Sequence, residues 1–212
     1  GAHLTLTGNN YATSTLIAAG GTLVYSHPTA SLGNEIITCA AACTIDLGTA
    51  SVAATAVTYS TTGSTLKVTI GTVDGKITSS GAATGHSGNT VVPTIVGAVV
   101  SGEYLTIVDA ATGSAHTIPG DITDNYERYT FALAQVGNNL ELTPTVVAPA
   151  GVSANSAAVS AIADVAFASD ATLSTALNTL SGASLDKALV TLAPAVDGGA
   201  IVGAVSAGAA SG

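Results

Sequence analysis

Short extended pieces and turn signals alternate through the first hundred residues, and that alternation limits the fold more than any other feature. His3-Leu4-Thr5-Leu6-Thr7 alternates apolar and polar residues, and Gly8-Asn9-Asn10 then turns the chain. Thr22–Tyr25 is extended and stops at His27-Pro28; Glu35–Thr38, Thr44–Leu47 and Val52–Tyr59 follow. The cleanest strand pattern is Leu66-Lys67-Val68-Thr69-Ile70, with Leu66, Val68 and Ile70 on one face. Asp74-Gly75 reads as a two-residue hairpin or a corner. Ser79–Asn89 reads as a Gly/Ser loop, and the apolar run Val91–Val100 is broken by Pro93 and Gly97. Segments this short, with turns this frequent, predict an all-β sandwich, a barrel or a β-solenoid.

The side chains available for a core point the same way. Hydrophobic residues make up 47% of the 212, yet there are two Phe, no Trp and no Met. Ala, Val, Thr, Gly and Ser dominate, which suits thin, repetitive β layers better than one thick core. Charged residues are only 8%, about a third of the share usual in soluble domains.

The net charge of −9 rests on four basic residues, Lys67, Lys76, Arg128 and Lys187. A basic patch able to neutralise a phosphate backbone cannot be assembled from four dispersed cations, so nucleic acid is not an expected partner. Anionic lipid headgroups are disfavoured for the same reason. No apolar run is long enough to span a bilayer as a helix, so no direct membrane insertion by this chain is expected. A first residue of Gly implies processing or excision from a longer chain.

The best-patterned β stretch is Gly102–Thr145. Strands are predicted at Tyr104–Asp109, Tyr129–Val136 and Leu140–Thr143. Tyr129, Phe131 and Leu133 share one strand face, and Gly137-Asn138-Asn139 is a strong turn because Gly and Asn accept positive φ. Leu140 and Leu142 resume the alternation around Glu141. The reading is a closing cap in which Tyr129, Phe131, Leu133, Leu140 and Leu142 seal a core that small residues cannot.

From Pro149 the composition turns Ala- and Leu-rich. In Asn155–Leu180, Val159, Ile162, Val165 or Ala166, Leu173, Leu177 and Leu180 recur at three- and four-residue spacing, the mark of an amphipathic helix. Ser169-Asp170 caps a new helix or kinks this one. A second helix carries Leu185, Leu189 and Leu192 and ends at Pro194. The division expected is a β-rich domain over 1–148, a helical segment over 149–196 shaped as a short α-helical hairpin, and a Gly/Ala tail over 197–212.

Chemistry-bearing residues are sparse. Cys39 and Cys43 are either two small buried residues or a local disulfide closing a five-residue loop, the latter in an oxidising compartment. A metal site on them lacks further ligands nearby. His3, His27, His86 and His116 all lie in or beside turns, and none joins a nucleophile elbow. Asp121, Asp124, Asn125 and Glu127 cluster, but without the EF-hand pattern they read as a capped, solvated turn rather than a Ca²⁺ loop. No catalytic residue, cofactor or metal is expected.

Two stretches carry a family resemblance. Tyr104-Leu105-Thr106-Ile107-Val108-Asp109, Gly120 to Leu133 and Gly137 to Thr143 together resemble the last rungs of bacterial autotransporter passenger domains. Ala176-Leu177-Asn178-Thr179-Leu180-Ser181-Gly182-Ala183-Ser184-Leu185, continuing through Asp186 to Pro194, looks like the helical linker of that family, in the same order. Richness in Thr, Ala, Gly, Asn and Val is similar to Rickettsia-type surface antigens of this class. The resemblance covers about half the chain, roughly Val100 to Pro194. It implies a right-handed β-helix or β-solenoid displayed outside the cell at the bacterial surface, with the family's membrane barrel absent from this chain.

The function expected is therefore a non-enzymatic structural or adhesive surface protein, a passenger fragment that self-associates into a layer or fibre. One alternative is a β-sandwich pilus-like subunit that polymerises by donating His3–Thr7. Another is a β-helical polysaccharide-active enzyme. A host or cell-surface ligand is left open.

Overall fold

The computed structural model describes residues 3–7, 15–17, 20–27, 29–31, 36–58, 62–85, 88–111, 121–166 and 168–192. The expectations for His86, His116 and the tail over 197–212 lie outside them. Among the described residues the chain is mainly β, with short helices toward the C-terminal end.

The strands come in quick succession. β1 (His3–Leu6) and β2 (Thr15–Ile17) are followed by β3 (Thr22–Tyr25), β4 (Thr29–Ser31) and β5 (Ile36–Cys39). Next are β6 (Thr44–Asp46), β7 (Ser51–Ala54) and β8 (Ala56–Thr58), then β9 (Thr65–Gly71), β10 (Lys76–Ser79) and β11 (Ala83–Thr84). β12 (Thr90–Val96), β13 (Leu105–Ala110), β14 (Asp121–Ile122), β15 (Tyr129–Val136) and β16 (Asn139–Val146) complete the β part.

Successive strands are dealt out among three sheets. The first sheet runs β1-β3-β6-β9-β12-β14, the second β15-β16-β13-β10-β7-β4, and the third β11-β8-β5-β2. Pairing through β14 is parallel throughout; the antiparallel pairs are β13 with β16 and β15 with β16. Asp74-Gly75 is thus a corner between two sheets rather than a hairpin, with Asp74 Oδ1 accepting from Gly71 N at 2.8 Å. The stretch read as a Gly/Ser loop after Ser79 contributes β11 to the third sheet.

Registers stack like residues on like. Leu23 faces Ile45, Ile45 faces Leu66, Leu66 faces Val91, and Val91 faces Ile122. In the second sheet Val52, Ile77, Val108 and Leu140 form a second such column. The members from Leu23 to Val91 and from Val52 to Leu140 are 2% exposed or less. Aliphatic columns of this kind explain how a chain without Trp or Met builds a core, because each small side chain lies over its equivalent in the next strand.

Pro93 stands inside β12 opposite Val68. β14 pairs only with Thr90 and Val91, so Pro93 occupies a stretch whose outer side has no strand partner among the described residues, the place where a missing N–H costs least.

Helices α1 (Ala154–Ala166), α2 (Ala171–Asn178) and α3 (Gly182–Leu192) follow. The expected two-helix hairpin is corrected to three helices. α1 ends at Ala166, and Asp170 caps α2, its side chain accepting from Leu173 N. Ala163, Leu177, Leu185 and Leu189 form a small core of their own, separate from the β core.

Candidate functional site

The most constrained cluster of polar groups lies where the helices meet the end of the sheets. Asp124 Oδ1 accepts from Tyr126 N at 3.0 Å and shapes the turn before β15. Arg128 follows, its carbonyl held by Val147 N at 2.8 Å, and its side chain runs inward until it is 1% exposed.

A buried guanidinium must find acceptors, because an uncompensated ion inside a protein costs several kcal/mol. α1 supplies them from positions one turn apart, Ser160 and Asp164. Arg128 Nε donates to Ser160 Oγ at 3.1 Å and Nη2 to the Ser160 carbonyl at 3.1 Å. Nη1 donates to Asn178 Oδ1 at the end of α2. Nη2 also lies 3.3 Å from Asp164 Oδ2.

Tyr129 completes the cluster. Its hydroxyl donates to Asp164 Oδ1 at 2.6 Å, and the Arg128 guanidinium carbon lies 5.4 Å from its ring centroid. Burial first, then the hydrogen bond to Asp164, raises the phenol well above its ordinary 10.0. The group is a protonated donor across the whole physiological range.

This demand decides how α1 is turned. The expected apolar stripe placed Ile162 and either Val165 or Ala166 inward, but Ile162 is 59% exposed, Val165 is 83% exposed and Ala166 is exposed as well. The buried residues are Ser156, Ser160, Ala163 and Asp164. Burying two aliphatics would contribute about 1.5–3 kcal/mol each, less than leaving the guanidinium and Asp164 without partners would cost.

Further ties fix the helices. Gly97, at the end of β12, donates its N–H to Thr175 Oγ1 at 2.8 Å, and its carbonyl accepts from Asn178 Nδ2 at 3.2 Å. Its φ is +84°, and a Cβ there would lie 2.4 Å from Thr72 Oγ1. Glu127 Oε2 accepts from Gly182 N at 2.8 Å, at the start of α3. Asp186 accepts from Ser156 Oγ at 2.6 Å and from Ser153 N at 3.0 Å, tying α3 to the start of α1. These bonds, the Ser156 hydroxyl foremost, hold the Asp186 carboxyl below its ordinary 3.8.

Chemically, the cluster is a joint. Its cation is neutralised, its phenol is protonated, and its hydrogen-bonding groups are turned toward one another.

The residues singled out from sequence fall elsewhere. Cys39 and Cys43 are joined in a disulfide with a Cα–Cα distance of 5.8 Å, and both are buried members of the β core. Leu140 and Leu142 are fully buried and Tyr129 nearly so, whereas Phe131 and Leu133 are half-buried against the same core. Tyr126, Tyr129 and Phe131 form a ring cluster with centroids 6.2–6.3 Å apart. Asp124 and Glu127 are spent on backbone N–H groups, and no metal-holding group of His, Cys, Asp and Glu occurs among the described residues. His3 is exposed on β1.

Sequence reading missed Arg128, Ser160, Asp164, Asn178, Gly97 and Thr175 as a unit. One signal was present: Arg128 is the sole Arg of the chain and is set between two tyrosines and next to Glu127. No family model matches this chain, and neither does any curated protein or solved structure.

Proposed function

We propose that the chain is a non-enzymatic structural element of a bacterial cell surface, the end of an autotransporter-type passenger, that associates with copies of itself. In this reading the three sheets are the faces of a right-handed β-helix. The carrying observation is the parallel pairing of successive turns, one strand per sheet, in which β1, β2 and β4 each stand first in their sheets and, among the described residues, pair only with the following turn. Such first strands present unpaired backbone groups on which another chain's strand can be added. Helices that follow the last strands match the order of rungs and linker in the family the sequence resembles.

The observed pairing favours this over strand donation. β1, the strand a pilus-like subunit would give away, is already paired in parallel with β3 of its own chain. Polysaccharide cleavage is favoured by no specific observation.

Two experiments test the proposal. Antibodies against the purified chain should label intact cells of its source; labelling that needs lysed cells would overturn the surface placement. Light scattering and electron microscopy of the purified protein should show association, and single chains under all conditions would remove that part of the reading.

A further inference from the structure

Among the described residues the first sheet has one edge without a strand partner, and at its other edge the donors of β12 past β14 are taken one by one. At the far end, Thr123 N donates to the Val91 carbonyl at 3.0 Å, so the odd-numbered residues of β12 turn their N–H and C=O groups outward. Beyond Val91 these are Pro93, Ile95 and Gly97. Pro93 has no N–H. The Ile95 N–H is taken by Tyr126 Oη at 2.8 Å. The Gly97 N–H is taken by Thr175 Oγ1 at 2.8 Å. No outward donor of that edge past β14 is left to bond a further strand.

The near end differs. The Leu6 carbonyl accepts from Ser26 N at 3.1 Å, so Leu6 and Leu4 turn their backbone groups toward β3. His3 and Thr5 therefore turn theirs to the other side, where no strand pairs among the described residues. Leu4 faces Leu23 and so heads the first aliphatic column, yet it is 49% exposed while Leu23 is 0%. With His neutral, β1 carries no formal charge in a chain of net charge −9, so two β1 strands can meet without direct like-charge repulsion.

We propose that two copies of this chain pair through β1, antiparallel about a two-fold axis, and that association closes at two. The inference rests on the self-association reading above and specifies its geometry. The far edge offers a further strand only the two-residue β14, since the β12 donors past it are taken, so head-to-tail repetition is disfavoured, whereas a two-fold axis satisfies the open edge with its own image. The register that matches outward groups sets His3 opposite Thr5 and Leu4 opposite the partner's Leu4. That close, non-hydrogen-bonded pair covers the exposed head of the column. The second sheet ends in β15, but in-register stacking needs all three sheets, and the third ends in the two-residue β11. A contact built on a four-residue strand is small, so the pair is concentration-dependent.

Sedimentation of the full chain across a concentration series is the test, with Thr5→Pro as the companion variant. Thr5→Pro removes an outward N–H and spares the bonds to β3, and circular dichroism checks that it folds. The parent is expected to move from the mass of one chain toward that of two and no further, while Thr5→Pro stays at one. Leu4→Cys should form a symmetric intermolecular disulfide on oxidation by oxidised glutathione. Fibres or masses beyond two would overturn the closure and leave self-association standing. A parent that remains a single chain at every concentration would overturn both. Pairing undiminished by Thr5→Pro would overturn the use of β1.

Discussion

Arg128 Nη2 and Asp164 Oδ2 meet 3.3 Å apart beneath α1, with side chains only 2% and 9% exposed. Tyr129, which bonds Asp164, belongs to the hydrophobic cluster filling the sheets, and Ala163, next to Asp164, to the one shared by the helices. The helices are therefore attached to the β part through a polar joint. A joint of this kind sets orientation more than it adds stability, since the attraction is offset by desolvation of both ions.

The asymmetry of that offset gives the first prediction. Arg128→Met leaves the Asp164 carboxylate buried without its cation and should cost about 3–5 kcal/mol. Arg128→Met combined with Asp164→Leu removes both charges and should recover most of the loss, because no unpaired ion remains. Urea unfolding of the two variants measures this. A double variant as unstable as the single would show that the cost comes from packing.

Gly97→Ala should loosen α2. The backbone is in the left-handed region, and the added Cβ meets Thr72 Oγ1 and Ala171. Strain of about 1–3 kcal/mol is expected. Faster amide exchange in α2 and at Gly182, with the strands β3 to β10 unchanged, would locate the effect. Uniformly faster exchange would place it elsewhere.

Tyr129 and Asp186 predict opposite pH limits. The Tyr129 phenol is raised, so its contribution is complete below its ordinary 10.0 and declines as pH climbs above that value toward the folded-state one. Asp186 is lowered, so its contribution is present above its ordinary 3.8 and is lost as pH falls through the folded-state value. Ultraviolet titration should find that Tyr129, identified by its loss in Tyr129→Phe, ionises only as the protein unfolds in alkali. Asp186→Asn should remove part of the acid sensitivity of the α1–α3 contact, read from amide signals of Ser153 and Ser156.

Much of the β part was legible because its signal is local. Leu66, Val68 and Ile70 announce a buried strand face by period alone, and Asp170 announces a helix start by its type. Which strand lies beside which is set by registers such as Thr65 opposite Thr90, and no short window of sequence contains both partners. The helical face was misread for a related reason. In α1, Ser and Ala outnumber large apolar residues, so the face packed inward is chosen by Arg128, which precedes Ser160 by 32 residues. Periodicity cannot register a demand that arises from another element. Alternation puts Phe131 and Leu133 on the same face of β15 as Tyr129, but their depth depends on the edge position of that strand in its sheet.

The Cys39–Cys43 bridge closes a loop of only a few residues, so its contribution is modest. A chain-entropy estimate for so short a loop is about 2 kcal/mol. Reduction, or Cys39→Ala with Cys43→Ala, should lower the melting temperature without changing the fold. Loss of all β signal on reduction would mean that the corner between β5 and β6 nucleates the sheets.

Burial ranks the residues that close the second sheet. Leu140 is 0% exposed and ends the column of Val52, Ile77 and Val108, so Leu140→Ala opens a cavity that neighbours on either side cannot fill. The cost expected is about 2–5 kcal/mol. Phe131 keeps one side in solvent on an edge strand, so Phe131→Ala falls below the roughly 3–5 kcal/mol of a fully buried Phe despite the larger side chain. Paired denaturation curves decide the order. If Phe131→Ala proves the costlier change, the ring cluster with Tyr126 and Tyr129 closes the core instead, and the aliphatic column is secondary to it.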